Sequence, residues 1–150
     1  MTVSNFLGHK IAKVHKALKA QFQGLLSPHG VTVQQFEVMR NLKTDSGLTA
    51  AQLVEHIITD SSTMMSILKR LESKTLILRK PDENDRRTKL IYLTSKGQEL
   101  MENLTVIAVR HNKHMNNCCS AKELQIFNHI LSELYDFSQT DRKIYHKAKN

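Results

Sequence analysis

Apolar side chains recur in steps of three and four at Leu7, Ile11, Val14, Leu18, Phe22 and Leu25. That spacing predicts an amphipathic helix over about residues 4–27, one apolar stripe wide, ended by Pro28-His29-Gly30. The next helix starts are marked by reciprocal caps. Thr32-Val-Gln-Gln35, Thr49-Ala-Ala-Gln52 and Ser120-Ala-Lys-Glu123 each set a hydroxyl three residues before an amide or carboxylate. In that arrangement each side chain satisfies the other residue's free backbone N–H. Apolar pairs bracket the three boxes as staples: Val31 with Phe36, Leu48 with Leu53, and Cys119 with Leu124. Helices are expected at about 33–43, 50–57 and 121–146.

Asp60 is a good N-cap for another helix, from Ser61 to about Lys74. Met64, Ile67, Leu68 and Leu71 share one face of it. Ser62, Ser66, Lys69 and Ser73 share the opposite face, with Thr63, Met65 and Arg70 at the margins. Two short apolar runs follow, Leu76-Ile77-Leu78 and Leu90-Ile91-Tyr92-Leu93, separated by the charged stretch Arg79 to Lys89. β-Branched and aromatic residues on both sides of a Pro/Asp/Asn cluster predict a hairpin with a long, charged tip. Ser95 opens a fifth helix striped by Leu100, Leu104, Ile107, Ala108, His111 and Met115. A sixth carries Leu124, Phe127, Leu131, Leu134 and Phe137, then a basic tail from Arg142 to Lys149.

A short helix joined through Ile58 to Asp60 to a longer one is a helix-turn-helix pattern. A charged hairpin directly after the second helix makes it a winged helix. The expected fold is mainly α with a small β-wing and about six helices. One domain spans 1–150, with a winged-helix lobe at about 32–94 and outer helices at about 4–27 and 95–146.

Composition narrows the function. Apolar content of 40% and charged content of 24% are those of a globular domain. The net charge of +8 and pI near 9.6 favour a polyanionic partner, because binding one releases its condensed counterions. Lys, Arg and His interrupt every apolar stretch, so no membrane span is expected. The first ten residues lack a basic segment followed by an apolar one, and the adjacent Cys118 and Cys119 make no disulfide framework, so the cytoplasm is the expected compartment. No Gly-rich phosphate loop, nucleophile elbow, HExxH or apolar carboxylate pair is present, and neither an enzyme nor a resident cofactor is expected.

Gly47-Leu48-Thr49 before a short helix, the SSTMMSILKRLESK helix, the DENDRRTKLIYLT wing and Ser95-Lys96-Gly97 together resemble the MarR family of bacterial transcription regulators. The element order matches along nearly the whole chain, and Asp85-Arg86-Arg87 followed by Leu90 and Leu93-Thr94 is the specific part. The resemblance implies a sequence-specific, ligand-responsive repressor. It would bind double-stranded DNA as a homodimer joined through the terminal helices. Paired half-sites of a pseudo-palindromic operator would lie about one helical turn apart. Family members usually carry Gly just after the recognition helix; this chain has Thr75. A β-branched residue in a left-handed turn costs roughly 1–2 kcal/mol, so either the helix ends by another route or the wing sits at a different angle.

On this resemblance Ser62, Thr63 and Ser66 face base edges, while Lys69, Arg70 and Lys74 hold phosphates. Arg87 maps to the arginine that family members place in the minor groove. Asp85 would orient it by an ion pair, with Arg86 and Lys89 near the phosphates. The family also implies a phenolic or amphipathic effector, for which spacing names no residues. His111 and His114, one turn apart, are candidate metal ligands, with His29 a further one from another element. Cys118 and Cys119 precede a helix N-terminus that would lower a thiol pKa. A metal- or redox-responsive regulator, or a winged-helix protein-interaction module with Met65 as anchor, are the alternative readings.

Overall fold

The computed structural model describes residues 6–45, 47–57 and 59–147, with side chains as far as residue 139. Residues 4 and 5 of the first expected helix, Ile58 in the expected turn, and the side chains of the basic tail lie outside the described residues. Along the chain come α1 (Leu7–Leu26), a 3₁₀ turn (Ser27–His29), α2 (Val33–Thr44), α3 (Ala50–His56) and α4 (Ser61–Ser73). The wing strands β1 (Ile77–Pro81) and β2 (Lys89–Leu93) follow, then α5 (Ser95–Asn116) and α6 (Ala121–Lys147). The chain divides into two compact units, residues 1–109 and 110–150.

The first unit holds a core to which α1, α2, α3, α4, both strands and α5 contribute. Leu26, Met39, Leu53, Met64, Leu68 and Leu104 are fully buried in it. All four residues of the apolar face of α4, Met64, Ile67, Leu68 and Leu71, are buried. Each such side chain contributes about 1.5–3 kcal/mol by leaving water, which fixes the roll of the helix about its axis. Met101 is also buried, one position from the apolar stripe expected on α5.

The caps form as spaced. Thr32 and Gln35, Thr49 and Gln52, and Ser120 and Glu123 bond each other's backbone N–H groups. Gln35 is the one buried polar side chain among the described residues, and its Oε1 accepts the Thr32 N–H at 3.1 Å. Val31, Phe36, Leu48 and Leu53 are buried as two staples. The third staple is absent in that form: Cys119 is exposed and Leu124 half-buried. Gln23 fastens α1 to α2, its Oε1 accepting the Val33 N–H at 3.0 Å and its Nε2 donating to the Val31 carbonyl at 3.2 Å. Phe22 meets Phe36 edge-to-face beside it, with ring centroids 5.1 Å apart.

The strands reach further into the charged stretch than the apolar runs suggest. Pairing is antiparallel from Ile77↔Leu93 to Pro81↔Lys89, which shortens the tip to residues 82–88. A two-stranded ribbon leaves much of its side-chain surface in solvent, so Lys80 extends the ladder exposed, while Arg79 is half-buried. Ile91 N–H donates to the Leu48 carbonyl at 2.8 Å, so the segment before α3 adds a bridge to the wing. Gly47 makes that approach with φ 81, and a Cβ there would meet the Tyr92 hydroxyl at 2.9 Å.

The helix does not end by another route at Thr75. Its φ is 57, and it is the one non-glycine residue with positive φ among the described residues. Thr75 N–H donates to the Glu72 carbonyl and Leu76 N–H to the Leu71 carbonyl, at 2.9 and 3.0 Å. This pair of bonds is the Schellman closure that glycine usually makes. Leu71 and Leu76, both buried, supply its apolar contact. The helix therefore ends by the ordinary route with an unfavourable residue in the left-handed position.

Candidate nucleic-acid interface

Helix α4 presents Ser62, Ser66, Lys69, Arg70 and Ser73 to solvent, while Thr63 is half-buried at the margin. The apolar face buried beneath sets this outward face. Asp60 caps the helix: one carboxylate oxygen accepts the Thr63 N–H at 2.8 Å and the Ser62 hydroxyl at 2.6 Å. The other accepts the Thr63 hydroxyl at 2.7 Å. These donors hold the Asp60 carboxyl well below the usual carboxylate range, the Ser62 hydroxyl first and the Thr63 hydroxyl next. Lys69 and Arg70 lie toward the C-terminal end of the helix, where the helix dipole favours cations. Lys74, next to the helix end, is exposed as well, and its ammonium gives one of its three hydrogens to the Gly30 carbonyl, which ties α4 back to the turn after α1.

The wing tip is built by its own acids. Asp82 accepts the Asn84 N–H at 2.9 Å. Asp85 accepts the Arg87 backbone N–H at 3.0 Å and the Thr88 hydroxyl at 2.8 Å. The expected ion pair between Asp85 and the Arg87 guanidinium does not form, because the turn takes both carboxylate oxygens. Asp85 instead shapes the backbone from which Arg87 projects. Arg86, Arg87 and Lys89 are all exposed. With two of the three tip acids turned onto the backbone, the cations form the outer edge of the hairpin.

Two links missed in the sequence couple α4 to the wing. Arg79 Nε lies 3.4 Å from Glu72 Oε2, an ion pair. Thr94, at the wing's far end, donates its hydroxyl to the Thr75 carbonyl at 2.7 Å, and Lys96 Nζ donates to the Lys74 carbonyl at 3.1 Å. The first was readable only as charges seven residues apart on different elements. The second joins residues about twenty positions apart, and no local pattern signals it. Behind the hairpin, a groove of about 390 Å³ is lined by Leu42, Lys43, Leu78, Lys80, Tyr92 and Glu102, among others. Lys80 Nζ sits 5.7 Å from the centre of the Tyr92 ring.

The other candidates are not gathered into a site. Among the described residues no group of three or more His, Cys, Asp or Glu could hold a metal ion. His111 is half-buried on α5, and His29 and His114 are exposed. The sulfurs of Cys118 and Cys119 lie 3.4 Å apart. The Cys119 thiol is pushed up from its ordinary value, first by the hydrogen bond with Cys118 and then by burial, opposite to the lowering expected from the helix start. Met65 is exposed on α4, without aromatic neighbours on that face.

Chemically, the arrangement is a polar helix flanked by cations beside an arginine-tipped hairpin, locked together by backbone and side-chain bonds. This is a winged helix-turn-helix. Residues 31–89 match the model of the MarR family. The match covers the helix-turn-helix and most of the wing, and the likeness in fold to solved structures extends over most of the chain's length. Transcriptional regulator HosA of Escherichia coli O157:H7 is 24% identical over 134 residues, 89% of this chain and 98% of that protein. Among solved structures, Bordetella bronchiseptica BpsR, studied for regulation of its DNA binding by 6-hydroxynicotinic acid, superposes with a TM-score of 0.83. It is 23% identical and covers 91% of this chain and 97% of its own. A mutant MarR from E. coli complexed with operator DNA superposes at 0.82, with 24% identity over 89% of this chain and 99% of its own. No helix is long and apolar enough among the described residues to cross a membrane.

Proposed function

We propose that this chain is a transcription regulator that binds double-stranded DNA sequence-specifically as a homodimer on a pseudo-palindromic operator, acting as a ligand-responsive repressor. The observation that carries the reading is the exposed polar face of α4 fixed beside exposed Arg86 and Arg87. Ser62, Thr63 and Ser66 meet base edges in the major groove; Lys69 and Arg70 hold phosphates. Arg87 enters the minor groove, where a narrow A·T-rich stretch has an enhanced negative potential, and Arg86 and Lys89 meet the flanking backbone. The DNA-bound MarR structure of the same fold supports this placement.

Two apolar surfaces support a second copy as partner. Leu7, Ile11, Val14, Leu18 and Leu25 are 36–56% exposed along one stripe of α1. On α6, Ile126, Phe127, Ile130, Tyr135 and Phe137 are 47–65% exposed. Exposed apolar stripes on the outer helices are what an interface between copies would cover. A phenolic or amphipathic small molecule is the effector class, and the groove behind the hairpin, where Leu42, Leu78 and Tyr92 stand beside Lys43, Lys80 and Glu102, offers it mixed apolar and charged walls.

Selection of bound duplexes from a random pool tests the reading. A palindromic consensus with half-sites about one turn apart is expected. Recovery of unrelated sequences, bound with equal strength, would overturn it.

A further inference from the structure

The hydroxyls of Ser62 and Thr63 have a fixed polarity. Each lies 2.6 or 2.7 Å from a separate oxygen of Asp60. An ionised carboxylate has no hydrogen to give, so both hydroxyls are donors to it and turn only lone pairs outward. Hydrogen bonds to a charged acceptor are about twice as strong as neutral ones, so a neutral acceptor on a base does not recapture those hydrogens. The third bond, from the Thr63 N–H to Asp60, pins the carboxylate to the helix, so the set moves as one body.

The major groove discriminates between these polarities. Guanine N7 and O6 and thymine O4 are acceptors, whereas cytosine N4 and adenine N6 carry hydrogens. Outward lone pairs complement only the amino groups. Phosphate oxygens, also acceptors and negatively charged, are opposed by the same lone pairs and by the Asp60 charge. The first turn of α4 is therefore suited to base edges, and the phosphates fall to cations further along.

We propose that Asp60 is the positioning residue that sets base preference: by holding Ser62 and Thr63 as acceptors, it directs them to the exocyclic amino group of a cytosine or adenine. The inference rests on α4 being the helix that enters the major groove. It goes further in naming the hydrogen-bonding group that is read and the residue that decides it.

Asp60→Asn separates the two levels. Asparagine is as good an N-cap as aspartate, but its amide NH₂ donates, so one of the two hydroxyls becomes an acceptor toward residue 60 and swings its own hydrogen outward. The duplex recovered with the wild-type protein is resynthesised with single adenines replaced by purine, or single cytosines by 2-pyrimidinone. Each replacement deletes one major-groove amino group and leaves the backbone unchanged. Binding of wild type and Asp60→Asn to each duplex is measured at one salt concentration, with circular dichroism melts to confirm that both proteins are folded. At one position per half-site, the one read by the hydroxyl that turns over, loss of the amino group weakens wild type by about tenfold and Asp60→Asn by less than about twofold. Equal sensitivity of the two proteins, or a wild type indifferent to every deletion on a duplex it selected, overturns the inference and leaves DNA reading intact. A wild type that selects no duplex overturns both.

Discussion

Thr94 donates its hydroxyl to the carbonyl of Thr75 at 2.7 Å, and the same oxygen accepts the Gly97 N–H at 3.0 Å. One side chain thus caps the start of α5 and holds the residue that ends α4. Gly97 is required at that crossing: a Cβ there would come within 2.1 Å of the Leu76 carbonyl oxygen, a backbone atom that cannot swing away. Thr94→Val keeps the shape and removes both bonds. It should lower stability by about 1–2 kcal/mol, the usual cost of a lost N-cap plus an unpaired carbonyl, read as a lower urea midpoint at unchanged slope. No shift in the midpoint would show the crossing to be incidental.

Thr75→Gly should act in the opposite direction. A β-branched residue at φ 57 is strained, and glycine adopts that conformation without a Cβ clash. A gain of about 1 kcal/mol is expected, reduced by the extra freedom of glycine in the unfolded chain. A loss of stability on substitution would mean that the Thr75 hydroxyl, which donates to the Lys74 carbonyl, outweighs the backbone strain.

Asp60 gives a pH signature. Its pKa is depressed in the folded protein, so its contribution to stability is complete above the unfolded value of about 4. The contribution falls away as pH drops below that value toward the folded one. Wild type should therefore exceed Asp60→Ala in stability by a constant margin from pH 7 to about 5, and the margin should shrink below pH 4. A margin independent of pH down to 2.5 would place the stabilising bond elsewhere than on the ionised carboxylate.

Arg87→Ala should weaken binding to the selected duplex by about tenfold or more while leaving the melting curve unchanged, since the side chain is exposed and the turn is held by the Arg87 backbone. Affinity equal to wild type in a gel-shift titration at fixed salt would remove Arg87 from the interface.

How far the sequence carried varies by element, for a physical reason. Thr32, Thr49, Asp60 and Ser120 announced helix starts because a cap and its donor lie within three residues of each other. The apolar face of α4 was legible from its 3.6-residue period alone. The end of the same helix was legible in place, at about Lys74, but not in how it is held, because a strained Thr75 is bonded by Thr94 and Lys96, about twenty residues later. The wing strands were read too short at Arg79 and Lys80, where backbone pairing continues under charged side chains. Asp85 was matched with the wrong group of Arg87: the family resemblance implied an ion pair, and the carboxylate bonds the Arg87 backbone and the Thr88 hydroxyl instead. Local bonds could be read from spacing; bonds that close the wing onto the helices needed three dimensions.

Sedimentation equilibrium of the protein mixed with its selected duplex tests the central claim most directly, because mass counts chains without assuming where they touch. Two 17.2 kDa chains per duplex are predicted, from a free protein that already sediments as a pair at micromolar concentration. One chain per duplex, or a free protein and a complex that both contain a single chain, would contradict the account.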